Sequence, residues 1–224
     1  TLPLLGLAPA ETTRDAFDPI CVINGEPAAI IVRADSRWNT IQDFLAEAKE
    51  KPGTVQLANS GMGDIWHLAA IGIELETGAS FNHVPFDGAA SALTAVLSGH
   101  VDAVTCSAAE AASNIASGEL KVLAVANTER LEAYPDVPTF QEVGVDLTIV
   151  ALRGLCVNKD PPDDVKKALC DGFEKVINSD ACREKIEAAN MTYMPLNAQE
   201  TNDILDSMSG NFEKIINAYL NSAN

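Results

Sequence analysis

The sequence predicts an α/β protein in which strands and helices alternate. Three observations carry this: apolar runs of strand length, apolar residues at helical spacing between them, and glycines at the junctions. Pro27–Arg33 (PAAIIVR) is a continuous apolar run bounded by Gly25 and Asp35, as expected of a buried strand. In Thr40–Lys51 the residues Ile41, Phe44, Leu45 and Ala48 share one helical face, with Thr40 suited to the N-cap and Pro52-Gly53 as the stop. Thr54–Ala58 reads as a strand, Asn59–Gly63 (NSGMG) as a glycine turn, and Asp64–Thr77 as a helix stopped by Gly78. Phe81–Val84 is a strand, Pro85–Gly88 a turn, and Ala89–Ser98 a small-residue helix closed by Gly99. Val101–Cys106, Ala108–Ser117 and Leu120–Ala126 continue as strand, helix, strand. Such alternation at short spacing predicts parallel sheets with right-handed crossovers.

After Asn127 the rhythm loosens. Thr128–Gly144 reads as an ordered loop with a short helix around Thr139–Val143, and Leu147–Val157 as two apolar stretches meeting near Arg153-Gly154. Beyond Pro161-Pro162 the chain is expected to be helical. Asp163–Ser179 places Val165, Leu169, Phe173 and Val176 on one face, followed by helices at Ala181–Ala189 and Gln199–Leu220.

The chain has 224 residues, 47% hydrophobic and 21% charged, enough for one large domain or two small ones with a sizeable core. Disorder is excluded at this hydrophobic content. Apolar runs such as Ala28–Val32 and Leu147–Leu152 fall far short of the about 20 residues that span a bilayer. Fifteen Lys+Arg against 32 Asp+Glu give a net charge of −17, which repels phosphate backbones and anionic lipid. Neither nucleic acid nor direct membrane insertion is expected.

No two of the five cysteines (21, 106, 156, 170, 182) have C-x-x-C spacing, and no His stands at metal-ligand spacing from them. Cys21, Cys106 and Cys156 lie in strand-like stretches and are expected to be small buried hydrophobes. Cys170 and Cys182 could bridge if their helices met. No metal and no cofactor is expected. Thr1–Ala10 (TLPLLGLAPA) has no initiating Met and no basic region and is too short for a signal peptide alone, so an earlier segment is expected to have been removed.

The chemistry-bearing feature is a strand that ends at a glycine turn and hands over to a helix, at Ala58–Asp64 and again at Val84–Ala90. A helix N-terminus exposes backbone N–H groups and a partial positive charge, and glycine lets a ligand approach the backbone. Such turns can hold carboxylate or phosphate, and in an open α/β sheet they gather at one edge. A third strand end, Thr105–Ser107, joins them. Taken singly, Asp64 reads as an N-cap and Gly88 as a turn residue.

These residues resemble a family. Asn59-Ser60-Gly61-Met62-Gly63-Asp64 with His67-Leu68-Ala69, then His83-Val84-Pro85-Phe86-Asp87-Gly88-Ala89, are similar to motifs of the substrate-binding proteins of tripartite tricarboxylate transporters, the TctC or Bug family. So are Ala92–Thr94 through Asp102, the strand in Gly118–Val125, and Arg130-Leu131 with Tyr134–Thr139, Glu142 and Gly144. The resemblance implies a bilobal type II periplasmic-binding-protein fold with parallel-rich sheets flanked by helices. It implies residues 27–150 as one lobe, and residues 1–26 and 151–224 as part of the other, which lacks its N-terminal part. Crossings are implied near Cys21–Glu26 and Ala151–Cys156. The implied function is extracytoplasmic or periplasmic capture of a small carboxylate (di- or tricarboxylate, monocarboxylate or amino acid) for membrane permease subunits. The implied contacts are Ser60, Gly61, Met62, Gly63, Asp64, His67, Phe86, Gly88, Ala89, Cys106 and Ser107. A ligand-sensing module that contacts a signalling receptor, or an enzyme on the same architecture, are the alternatives.

Three departures bear on the ligand. Asp64 stands where Ser or Thr is usual, Asp87 replaces a frequent Lys, and Phe86 replaces a Tyr. Each makes this jaw more acidic or a poorer donor, so the expected ligand is less anionic than citrate. Its ammonium, if it is an amino acid, would meet Asp64 or Asp87. No G-x-S-x-G elbow and no nucleophile–base pair is present, so no enzyme and no catalytic residue is expected. Glu47, Glu50, Glu74, Glu76 and Glu110 read as a mostly solvated acidic face.

Overall fold

The computed structural model describes Pro9 and residues 13–222, with side chains to residue 220. The expectation about Thr1–Ala10 lies outside the described residues except at Pro9. The chain divides into two compact units, residues 27–150 and residues 1–26 with 151–224.

In the unit of residues 27–150, five strands lie in the order β3-β2-β4-β1-β5. They are β1 (Phe17–Arg33, from Pro27 onward), β2 (Val55–Asn59), β3 (Phe81–Pro85), β4 (Ala103–Ser107) and β5 (Leu120–Val125). β2 runs parallel to β3 and β4, as alternation predicts. β1 runs antiparallel to β4 and β5, so the sheet is mixed rather than all parallel. The helices are α1 (Ile41–Glu50), α2 (Ile65–Thr77), α3 (Ala89–Leu97) and the short α4 (Ala112–Ala116).

Local signals explain most of these boundaries. Thr40 and Asp43 cap α1 reciprocally, and the helix buries Ile41, Phe44, Leu45 and Ala48. At roughly 1.5–3 kcal/mol for each large side chain, that face outweighs the cap. Phe44 stands edge-on to Trp38 at 5.0 Å and stacks on Phe81 at 5.3 Å, joining α1 to β3. The sheet centre is buried: Ile30, Ile31 and Val32 in β1, Leu57 and Ala58 in β2, and Val104 in β4 have no exposed surface. Gly78 ends α2 in the left-handed conformation. α4 begins later than the expected Ala108, because Ser107 and Glu110 close a turn over 107–110 first.

In the other unit, the first part of β1 pairs with β6 (Val150–Asn158) and β7 (Tyr193–Leu196), and α5 (Asp163–Ile177), α6 (Asp180–Ala188) and α7 (Ala198–Ser222) complete it. β6 is one strand, not two stretches. Its passage over β1 requires Gly154, where an added Cβ would lie 2.1 Å from the Cys21 carbonyl oxygen. Ile20, Cys21 and Ile177 form a small core packed by Leu169, Cys170 and Phe173 of α5. The expected apolar face of α5 is therefore turned: Val165 and Val176 are exposed. Cys156, expected inside, is exposed on β6, whereas Cys21 and Cys106 are buried; all five thiols are free.

Several buried polar groups in this unit have partners distant in sequence. Asp18 receives Lys159 Nζ at 2.9 Å and Lys166 Nζ at 2.8 Å, and these bonds hold its carboxyl down to about 2. Its contribution to stability is present above the usual carboxylate value and is lost as pH falls through about 2. Glu26 accepts from Asn24 Nδ2 and the Thr192 amide. The Tyr193 hydroxyl donates to the Ile177 carbonyl, with Arg183 over its ring. No described helix is long and apolar enough to cross a membrane.

Candidate functional site

Because β2 is parallel to β3 and to β4, the C-terminal ends of all three strands open at one edge of the sheet. The first turn follows Asn59. Its amides are largely satisfied within the turn: Gly61 N–H donates to Asn59 Oδ1 at 3.1 Å, and Gly63 N–H to His67 Nδ1 at 3.0 Å. Asp64 is the N-cap of α2. Its Oδ1 accepts from the Trp66 and His67 amides, each at 3.0 Å, and its other oxygen accepts from the Ser60 hydroxyl. A carboxylate of the chain itself thus occupies the donors that a guest anion would use at this helix. Its charge is met by the helix terminus, leaving it poorly placed for an ammonium group.

His67 has 1% of its surface exposed, so the ring supports the turn from within. Accepting at Nδ1 makes it a neutral imidazole. Burial first, and His83 second, lower its pKa from 6.5 to about 4, while Asp64 and Glu74 pull the other way. His83 stands edge-on to it at 5.0 Å and meets Glu74 Oε2 at 3.1 Å. Glu74 also accepts the Phe81 amide, so it is not part of a solvated face.

The second turn is different. Gly88 caps α3 with φ 116° and ψ 164°, a conformation open to glycine alone, and no side chain caps the helix. Among the described residues no side chain caps the amides that open α3, unlike those of α2, which Asp64 caps. Phe86 is half-buried and its amide donates to Asn59 O at 3.0 Å, while Asp87 is exposed. An added Cβ on Gly61 would meet Phe86 O at 3.8 Å, so the first two turns adjoin. Met62 projects beside them with 47% exposure.

At the third strand end Ser107 is buried, and both its amide and its hydroxyl donate to Glu110 Oε2, at 2.9 and 3.0 Å. Cys106 is fully buried; burial, then Glu110, push its thiol well above the usual range. The structure thus brings Ser60, Gly61, Met62, Phe86, Gly88 and Ala89 to neighbouring turns on one edge. It places Gly63, His67, Cys106 and Ser107 inside. Sequence reading missed the roles of Asn59, Glu74 and Glu110. Ser107-x-x-Glu110 has the spacing of a capping box and could have been found; Glu74 carried no local signal. No group of three or more His, Cys, Asp or Glu among the described residues could hold a metal.

The family model for the tripartite tricarboxylate transporter family receptor, TctC, matches residues 9–220. The chain belongs to this family. Among curated relatives of the TctC chain, a UPF0065 protein in the gbd 5' region of Cupriavidus necator is 28% identical over 195 residues, which are 84% of this chain and 59% of the relative. A crystal structure of a TctC solute-binding protein from Polaromonas superposes with a TM-score of 0.84 at 37% identity, covering 97% of this chain and 74% of that one. MatC from Rhodopseudomonas palustris, solved with bound malate, shares the fold at 20% identity with a TM-score of 0.80, over 95% of this chain and 74% of that one. The TctC chain thus spans 59% of the curated relative's length.

Proposed function

We propose that this chain belongs to an extracytoplasmic solute-binding receptor that captures a small carboxylate and delivers it to membrane permease subunits, with no bond made or broken. Residues 27–150 are read as the lobe that carries the guest-facing turns, and residues 1–26 with 151–224 as part of a second lobe. The single observation behind this reading is the α3 N-terminus, uncapped by any side chain and opening beside the Gly61 turn at one sheet edge. Ser60, Gly61, Met62, Phe86, Gly88 and Ala89 would meet the guest. Gly63, Asp64, His67 and Ser107 would hold the turns in shape, and Cys106 would pack behind them.

Asp87 then tunes charge. It precedes Gly88, is exposed, and opposes an anion at α3, whereas Asp64 already has its donors. Asp87→Asn in the full-length protein should tighten malate about two- to fivefold, the effect of one charge at a helix terminus. It should weaken an α-amino acid such as glutamate. Calorimetric titration checks both, and equal affinities in variant and parent would remove Asp87 from the site. Native mass spectrometry of protein purified without denaturant tests the function itself: a co-purified small acid is expected, and turnover of that acid would favour an enzyme instead.

A further inference from the structure

Two polar atoms beneath the first turn have no protein partner among the described residues: Asn59 Nδ2 and Thr105 Oγ1. Both residues have 0% of their surface exposed, so neither atom can turn to bulk solvent. The parallel register sets Leu57 opposite Ala103 and Ala58 opposite Val104. Continued by one residue, this register would set Asn59 beside Thr105, and in a parallel pair such neighbours project from the same face. The orientation of the Asn59 amide is fixed by chemistry, because its oxygen must accept the Gly61 N–H. Its NH2 group is therefore the unpaired end.

Adjacent strands lie about 4.8 Å apart. One water molecule, with hydrogen bonds of about 2.8 Å on either side, spans that separation. We infer that an internal water joins Asn59 Nδ2 to Thr105 Oγ1 beneath the Gly61 turn. The water accepts from the amide and exchanges a second hydrogen bond with the hydroxyl. Buried waters characteristically fill this role, completing polar groups that the chain leaves unpaired. The face they occupy is also that of His83, which stands opposite Leu57 and whose Nδ1 is likewise buried without a partner. The water pins the Asn59 amide plane and so directs its oxygen at Gly61. It is a positioning element, and it stands whatever guest the turn receives.

Thr105→Val keeps the shape of the side chain and decides the matter by sign. Were the hydroxyl an idle buried group, its removal would leave the melting temperature unchanged or raise it. With the water in place, the variant strands Asn59 Nδ2, and a fall of about 2–4 °C is expected, together with faster hydrogen exchange at the Gly61 amide. A crystal structure of the unaltered protein gives the second reading, independent of whether the variant folds. An ordered oxygen within hydrogen-bond distance of both atoms is expected. A direct Asn59–Thr105 bond, a dry gap, or a variant as stable as the parent would overturn the inference.

Discussion

Acidification from pH 7 to pH 4 is expected to remove about 3 kcal/mol of stability through His67 alone. The group has a pKa of 6.5 unperturbed and about 4 in the fold. Between those values the unfolded chain binds a proton that the folded chain refuses, so stability falls as pH falls, and the loss is complete below about 4. The physical event is specific. A proton on Nδ1 abolishes the acceptor of the Gly63 N–H and places a charge in a site with 1% exposure. Glu74 and Asp64 soften this cost, whereas His83 adds to it. Denaturant titrations at pH 7, 5 and 4 should show the slope in the parent and its loss in His67→Gln, whose amide oxygen can accept the same N–H without titrating. Equal slopes would show that His67 is not the sensor. The Asp18 cluster titrates lower, toward about 2, so the two effects separate along the pH axis.

Gly154→Ala should be the most damaging single methyl in the unit that contains β6. The added Cβ would stand 2.1 Å from the Cys21 carbonyl oxygen and 3.0 Å from Cys21 C and Val22 Cα, all of them main-chain atoms. No side chain can swing aside, so β6 must part from β1. A cost of roughly 3 kcal/mol or more is expected, at the upper end for overpacking. For a chain of this size that lowers the melting temperature by about 6–12 °C. Gly172→Ala in α5 is the matched control: nothing lies within 4 Å of its Cβ position. Alanine there should stabilise by about 0.5–1 kcal/mol, because glycine is a poor helix former. Parallel behaviour of the two variants in thermal melts would contradict the close crossing at Gly154.

Much of the unit 27–150 was legible because its signals are local. Thr40 with Asp43, Gly78 and Gly99 mark helix ends by chemistry acting within one turn, and the observed helices obey them. Strand direction is not local. Alternation cannot say that β1 runs against β4 and β5, since that depends on which strand enters the sheet between which others. Although Cys21 reads as strand-like, the local pattern does not show one continuous strand from Phe17 to Arg33. Pro19, Gly25 and Pro27 interrupt the apolar pattern, and the polar Asp18, Asn24 and Glu26 are buried within the strand. They are tolerated inside because distant lysines and the Thr192 amide pair with the carboxylates. β7 escaped notice for a similar reason: four half-buried residues around Pro195 are too short a pattern to see.

In the candidate site, sequence located the three turns but not their hydrogen bonding. Asp64 read as an N-cap taken singly and as a ligand contact through the resemblance, and the geometry shows both its oxygens engaged. That shifts the expected anion contact toward α3, whose glycine cap leaves the helix terminus uncovered by side chains.

A guest's carboxylate is expected to be held by main-chain amides at that edge. Isothermal titration of the full-length protein with malate, with and without Gly88→Val, tests it most directly. Valine cannot adopt the Gly88 backbone angles without strain, so the amides that open α3 would be re-aimed while the charged groups stay. Saturable malate binding is expected in the parent, with at least a tenfold loss in a variant that remains folded, tenfold being about 1.4 kcal/mol. Unchanged affinity in that variant, or no binding by the parent of malate, citrate, a monocarboxylate or an amino acid, would contradict it.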